Sequence, residues 1–185
     1  MFTLKQLPLP VLEAQLAACQ AELQTRLGPC QLRLLETDDI PALLGLERYC
    51  FSPRLAFGRR RWRNLLAHSG CQTVGLWQGG QLLAYLCLFP HLGWQALEVR
   101  CLAVHWHVRR RGVAAALMDL ALALAGQLQA RSLRLEVDED NPAACQLYAG
   151  LQFVPLRRLT DYYGEGRHGQ RLMRSLEGAH GVPGV

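Results

Sequence analysis

A basic turn that opens a helix is the chemically informative part of this 185-residue chain. It reads Leu102-Ala103-Val104-His105-Trp106-His107-Val108-Arg109-Arg110-Arg111-Gly112-Val113-Ala114. An apolar run feeds three arginines, and a glycine and small residues start a helical pattern. Backbone N–H groups at a helix start have no intrahelical partner and lie at the positive end of the helix dipole. That combination suits an anion, and phosphate above all. Gly112 and Ala114 lack bulk, so a diphosphate can approach the backbone there. No G-K-[ST] follows, which excludes a Walker loop, and G-x-G-x-x-G is missing, which excludes a dinucleotide fingerprint.

The surrounding elements must hold that turn. Leu12, Leu16, Cys19, Leu23 and Leu27 share one helical face and predict a helix over residues 10–27, ended by Gly28-Pro29. A strand over 31–35 follows. Thr37-Asp38-Asp39 then reads as the cap of a helix to about Tyr49, and a second helix is expected over 54–68. Strands over 71–77 and 81–89 are joined by Gly79-Gly80, a hairpin signal. A strand over 96–104 leads into the basic turn. Beyond it the pattern predicts a helix over 113–129, a strand over 132–137, and a helix begun by Asn141-Pro142 and ending near Gly150. Strands over 153–162 and 170–176 close the chain. The order predicts one mixed α/β domain over residues 30–176, preceded by a helical extension (1–29) and followed by a glycine-rich, flexible tail (177–185).

Composition narrows the functional classes. The chain is 50% hydrophobic and 19% charged, which a disordered chain is not. The longest apolar segment, residues 113–125, contains Asp119 and is too short to span a bilayer. Pro8, Pro10 and Glu13 interrupt any signal-peptide core, so a cytoplasmic protein without a membrane segment is expected. The formal charge of +5 rests on a single lysine, Lys5, and otherwise on arginine. It suits an anionic ligand without demanding nucleic acid. No nucleic-acid partner is expected, because no helix-turn-helix or zinc pattern accompanies the arginine triplets. The triplet Arg59-Arg60-Arg61 reads as a solvated face. Seven cysteines, an odd number with no C-x-x-C spacing, read as buried thiols in a reducing compartment. His105 and His107 lack a cysteine pair beside them, so no metal site is expected.

Arg109, Gly112 and Ala114 spell R-x-x-G-x-A, which resembles the Q/R-x-x-G-x-G/A acetyl-CoA motif of the GNAT superfamily of N-acetyltransferases. Residues 141–153 resemble the same family's N-x-x-A-x-x-L-Y-x-x-x-G-F segment, with Gln152 where glycine is usual. Leu133-Arg134-Leu135-Glu136-Val137 followed by Asn141, together with Asp161-Tyr162-Tyr163 and Arg171-Leu172-Met173, resembles the ribosomal-protein alanine N-acetyltransferases, the RimI type. Asp138 stands where that group has arginine, and Gly169-Gln170 where it has D-A. The resemblance covers about residues 30–176. It implies a GNAT-like central mixed sheet flanked by helices, with the helix over 10–27 as an addition.

The resemblance also implies roles. Acetyl-CoA would be the co-substrate. It would be held by Arg109, Arg110, Arg111, Gly112, Val113 and Ala114, by main-chain groups of Leu102, Ala103 and Val104, and by Asn141, which is also a helix cap. Acetyl transfer needs a neutral amine and a protonated thiolate leaving group. Glu136 is the candidate base, directly or through water, and Tyr148 the candidate acid. A phenol of pKa ~10 stays protonated at neutral pH and can donate to a thiolate of pKa ~8.5. Roughly a tenth of an α-amine is neutral near pH 7, against about one lysine side chain in 2,500. The expected partner is therefore a protein N-terminal α-amine. A small-molecule amine, a protein lysine, or a non-catalytic acyl-CoA-binding regulator are the alternatives, with the chain a monomer or homodimer.

Overall fold

A computed structural model describes residues 7–91 and 95–176. Lys5 and the expected tail, 177–185, lie outside the described residues. The first helix, α1 (Leu9–Leu27), precedes strand β1 (Gln31–Leu34), and helices α2 (Ile40–Cys50) and α3 (Arg59–Ala67) follow. Strands β2 (Gln72–Gln78), β3 (Gln81–His91) and β4 (Ala96–Val104) come next, then α4 (Val113–Gln127), β5 (Ser132–Asp138), α5 (Pro142–Gly150), β6 (Val154–Gly164) and β7 (Arg167–Ser175).

The seven strands form one sheet in the order β1-β2-β3-β4-β5-β7-β6. Only β4 and β5 run parallel, and α4 supplies the crossover between them. β3 lies inside the sheet and is buried on both faces, so its sequence is an unbroken apolar run. Its alternation divides the core. Ala84, Leu86 and Leu88 join the cluster beneath α1, α4 and α5, while Tyr85 and Cys87 join the cluster beneath α2 and α3. Gly79 and Gly80 both take positive φ, 56° and 77°, as a two-residue hairpin requires.

Helix α1 docks through Leu12, Cys19 and Leu23 onto this first cluster, and the Cys19 thiol donates to the Ala116 carbonyl of α4 at 3.5 Å. Gly28, with φ 79°, ends it.

Two expectations need correction. The helix expected over 54–68 starts only at Arg59. The Phe57 N–H donates to the buried Glu47 carboxylate at 2.7 Å, and Leu55 and Ala56 turn back on the Ser52 carbonyl at 2.9 Å. Residues 51–58 are thus tied down as a loop. Thr37–Asp39 forms one 3-10 turn rather than capping α2 directly, because Arg33 takes the Asp39 carboxylate with two bonds of 2.7 Å.

Candidate active site

Parallel pairing of β4 and β5 runs from Ala96↔Ser132 to Val99↔Leu135 and stops. At that point β4 carries a bulge. Cys87 of β3 faces Cys101 and Leu88 faces Val99, so Arg100 is the extra residue. Past the bulge the two strands diverge, and a cleft of about 670 Å³ opens between them. Leu102 and Cys101 line one wall, and Glu136, Val137 and Asp138 the other. Helix α5 contributes Asn141 and Tyr148, β6 contributes Tyr162 and Tyr163, and the loop after α2 contributes Phe51, Leu55 and Phe57.

From Arg100 onward β4 is bonded to β3 alone, leaving its other edge open for an extended ligand. Leu102, Ala103 and Val104 pair with Leu86, Tyr85 and Ala84. The Val104 carbonyl is already engaged, since Arg109 Nε donates to it at 2.9 Å and the Cys50 thiol at 3.5 Å. Arg109 thus turns back onto the strand, and all three arginines of the turn are exposed. Arg110 takes φ 61° and Gly112 φ 76°, so the turn winds through left-handed backbone twice before α4 begins. Val113 is buried against the core, anchoring the helix start. Gly112 is the N-cap of α4, and no side chain caps the first amides.

Tyr148 is buried, with its ring edge-on to Phe153 at 5.8 Å between centroids. Burial pushes its phenol well above the ordinary value, with Cys101 and Cys145 adding to the rise. It stays fully protonated, the state a proton donor needs. Asn141 accepts from the Ala144 N–H at 3.2 Å and is a true N-cap of α5.

Glu136 sits on the cleft wall with two partners. Arg171 donates to its Oε1 from Nε at 3.1 Å and Nη2 at 2.5 Å, and the Tyr162 hydroxyl donates to Oε2. Burial, then the contact with Glu136, pushes the Tyr162 phenol up to about 12. Two further ion pairs stand nearby, Arg100 with Glu98 at 2.6 Å and Arg167 with Asp138.

Residue-type patterns point to Glu136 and Tyr148 but not to Arg171 as the partner of Glu136. Their meeting depends on the β5–β7 register, which places Glu136 opposite Arg171. A second network supports the loop wall. The Glu47 carboxylate takes the Tyr85 hydroxyl as well as the Phe57 N–H, and Tyr85 also contacts the Cys101 thiol at 3.0 Å. Burial raises the Glu47 carboxyl above its ordinary value, against the lowering effect of its hydrogen bonds. Glu47 in a predicted helix carries no sequence signal of this role.

Among the described residues no group of histidine, cysteine and acidic side chains could hold a metal ion. No helix of the described residues is long and apolar enough to cross a membrane.

The family model of the acetyltransferase (GNAT) family matches residues 38–153, spanning the splay, the basic turn and α5. The chain belongs to the GNAT acetyltransferases. The ribosomal-protein-S18-alanine N-acetyltransferase from Escherichia coli superposes with a TM-score of 0.73 at 19% identity, covering 85% of this chain and 99% of that one. Ard1 from Thermoplasma volcanium gives 0.68 at 22% identity, covering 79% and 97%. Arabidopsis thaliana NAA60, solved in complex with a bisubstrate analogue, gives 0.70 at 17% identity, covering 81% and 99%. No curated protein matches the sequence. At these identities the structural likeness concerns the fold. The mixed seven-stranded sheet with flanking helices is the GNAT fold, with α1 as an N-terminal addition to it.

Proposed function

We propose that this GNAT enzyme transfers the acetyl group of acetyl-CoA to the N-terminal α-amine of a polypeptide, by direct attack within a ternary complex. The observation that carries the reading is the convergence of Tyr148, Tyr162 and Glu136 on one cleft, opened where β4 and β5 part.

The diphosphate of the coenzyme would lie on the turn from Arg109 to Ala114. Gly112 lacks a side chain there, and the first amides of α4 have no side-chain partner. The pantetheine arm would follow the open edge of β4 past Leu102 and Ala103, bringing the thioester to the splay. The amine nitrogen attacks the thioester carbonyl carbon, forming the C–N bond. As the tetrahedral intermediate collapses, the C–S bond breaks and the thiolate takes the Tyr148 proton. The proton lost by the amine passes to the Glu136 carboxylate. Both carboxylate oxygens already accept hydrogen bonds, so the route runs through the Tyr162 hydroxyl, which gives its proton to Oε2 as it takes one from the amine side. Solvent then restores Tyr148 and discharges Glu136.

An α-amine acceptor is favoured by the modest base, one carboxylate shared between an arginine and a tyrosine. It also fits the tyrosine pair Tyr162 and Tyr163, which flank the cleft beside an open strand edge. The test follows free-thiol release from acetyl-CoA with peptides, polyamines and amino acids as acceptors. Fast turnover with free N-terminal peptides supports the reading. Turnover with polyamines or amino acids alone moves the enzyme to small-amine chemistry, and binding of acetyl-CoA without turnover on any acceptor makes it a regulator.

A further inference from the structure

We infer that Arg26, carried by the added helix α1, is a ligand of the coenzyme's diphosphate. The inference rests on the acetyl-CoA reading of the basic turn.

The placement of the guanidinium is specific. A Cβ built on Gly112 would lie 1.8 Å from Arg26 Nη1 and 3.0 Å from its Cζ. The volume a side chain would need at the helix cap is therefore filled by an arginine from another helix. The two ends of the guanidinium are used separately. Nη2 donates to Glu22 Oε1 at 2.5 Å, one helical turn back, while Nη1 is the atom that lies over Gly112. A guanidinium has five donors in a fixed fork, so one carboxylate fixes its pose without exhausting it. The side chain remains 41% exposed, open to a ligand arriving from solvent.

The charge pattern indicates what that ligand is. The Arg26 guanidinium, carried by α1, lies over Gly112, the residue that follows Arg109, Arg110 and Arg111 in sequence, at the positive end of α4, with no acidic side chain in the first turn of α4. Arg26 adds positive charge to a helix N-terminus that follows the exposed Arg110 and Arg111, and it is ion-paired with Glu22, with Asp119 of α4 acting on it at longer range. A doubly charged diphosphate resolves that excess and accepts from planar guanidinium forks. Docking of α1 on α4 through Cys19 and Ala116 holds Arg26 in register with Gly112. Arg26 also lies outside residues 38–153, so it belongs to no part matched by the family model. The added helix thereby acquires a function: it completes the phosphate cradle.

The test measures binding of acetyl-CoA, of its 3′-dephospho form and of S-acetyl-pantetheine, which has no diphosphate, to the full chain and to Arg26→Ala and Arg26→Lys. Losing a charge-assisted bond should weaken acetyl-CoA and the dephospho form alike, by about tenfold or more. S-acetyl-pantetheine should bind the wild type and both variants equally. Arg26→Lys, which keeps charge without the fork, should recover part of the loss. Equal thermal midpoints of wild type and variants exclude a folding defect. Unchanged acetyl-CoA affinity in Arg26→Ala overturns the inference while leaving the acetyl-CoA reading intact. Tighter binding also overturns it, by making Arg26 an obstruction. A loss confined to the 3′-phosphorylated ligand overturns the diphosphate assignment. Failure of the wild type itself to bind acetyl-CoA is the separate failure of the underlying reading.

Discussion

The guanidinium of Arg171 lies 2.5 Å from the Glu136 carboxylate, across a β5–β7 register that makes the two residues direct partners. The carboxylate is therefore positioned before substrate arrives, with one oxygen on Arg171 and the other on Tyr162. Glu136→Gln keeps the shape and removes the proton acceptor. Turnover should fall by ~10²-fold or more, the lower range for general base catalysis, with acetyl-CoA affinity unchanged. Tyr162→Phe should fall in the same direction if the proton travels through its hydroxyl. Stopped-flow thiol release and calorimetry on the same preparations separate the two effects. Wild-type turnover in Tyr162→Phe would rule out the relay.

Tyr148→Phe removes only a hydroxyl from a ring packed on Phe153. The leaving thiolate loses its proton source, and kcat should drop ~10²–10⁴-fold while acetyl-CoA still binds. Thermal unfolding of the variant should stay close to wild type. A variant with full turnover, in a reaction limited by chemistry, would make Tyr148 a packing residue.

Gly112→Glu puts a negative side chain where the diphosphate is expected, at a φ of 76° that L residues rarely adopt. Affinity for acetyl-CoA should fall at least ~100-fold. Calorimetry showing unchanged affinity would reject the turn as the coenzyme site.

The basic turn was legible because its signal is local: a strand, charges, a glycine and a helix in one run of sequence. The cap role of Asn141 was legible for the same reason, since it reaches only to Ala144. What the sequence hid is nonlocal. Arg171 reaches Glu136 from 35 positions away through strand register, and Arg26 reaches Gly112 through helix docking. The late start of α3 was hidden likewise. Residues 54–58 have helical composition, but Glu47 offers the Phe57 N–H a buried acceptor that a helix would forgo.

Glu47 makes a pH-dependent contribution to stability. Burial raises its folded carboxyl above the ordinary 4.5, so the folded state holds this proton more tightly than the unfolded chain. Its contribution is complete below 4.5 and is lost as pH rises through the raised folded value. Glu47→Gln should remove that slope, so wild type should lose stability relative to the variant as pH rises. Urea unfolding across a pH series checks the sign. Glu47→Ala instead orphans the Phe57 N–H, at about 1–3 kcal/mol, and leaves the Tyr85 hydroxyl only the Cys101 thiol as a partner.

The acceptor decides the biological reading, and the chemistry of the amine predicts it. Near pH 7 an α-amine is neutral in roughly one molecule in ten and a lysine in about one in 2,500, a difference of two orders of magnitude before the enzyme acts. Glu136 is shared between Arg171 and Tyr162, and of the neighbouring strand carboxylates on the cleft wall Asp138 is bound by Arg167 and Glu98 by Arg100, so neither is a spare base to strip a lysine. The rate on an α-amine should therefore rise with pH as the neutral fraction grows. Glu136→Gln should be most impaired at low pH, where neutral amine is scarce. Two peptides of one core sequence make the comparison, one with a blocked N-terminus and an internal lysine, the other with a free N-terminus and no lysine. The free N-terminus should react at least ~100-fold faster by kcat/KM, with mass spectrometry locating the acetyl group on the α-nitrogen. Acetylation mainly of the blocked peptide would reject the α-amine and assign the lysine.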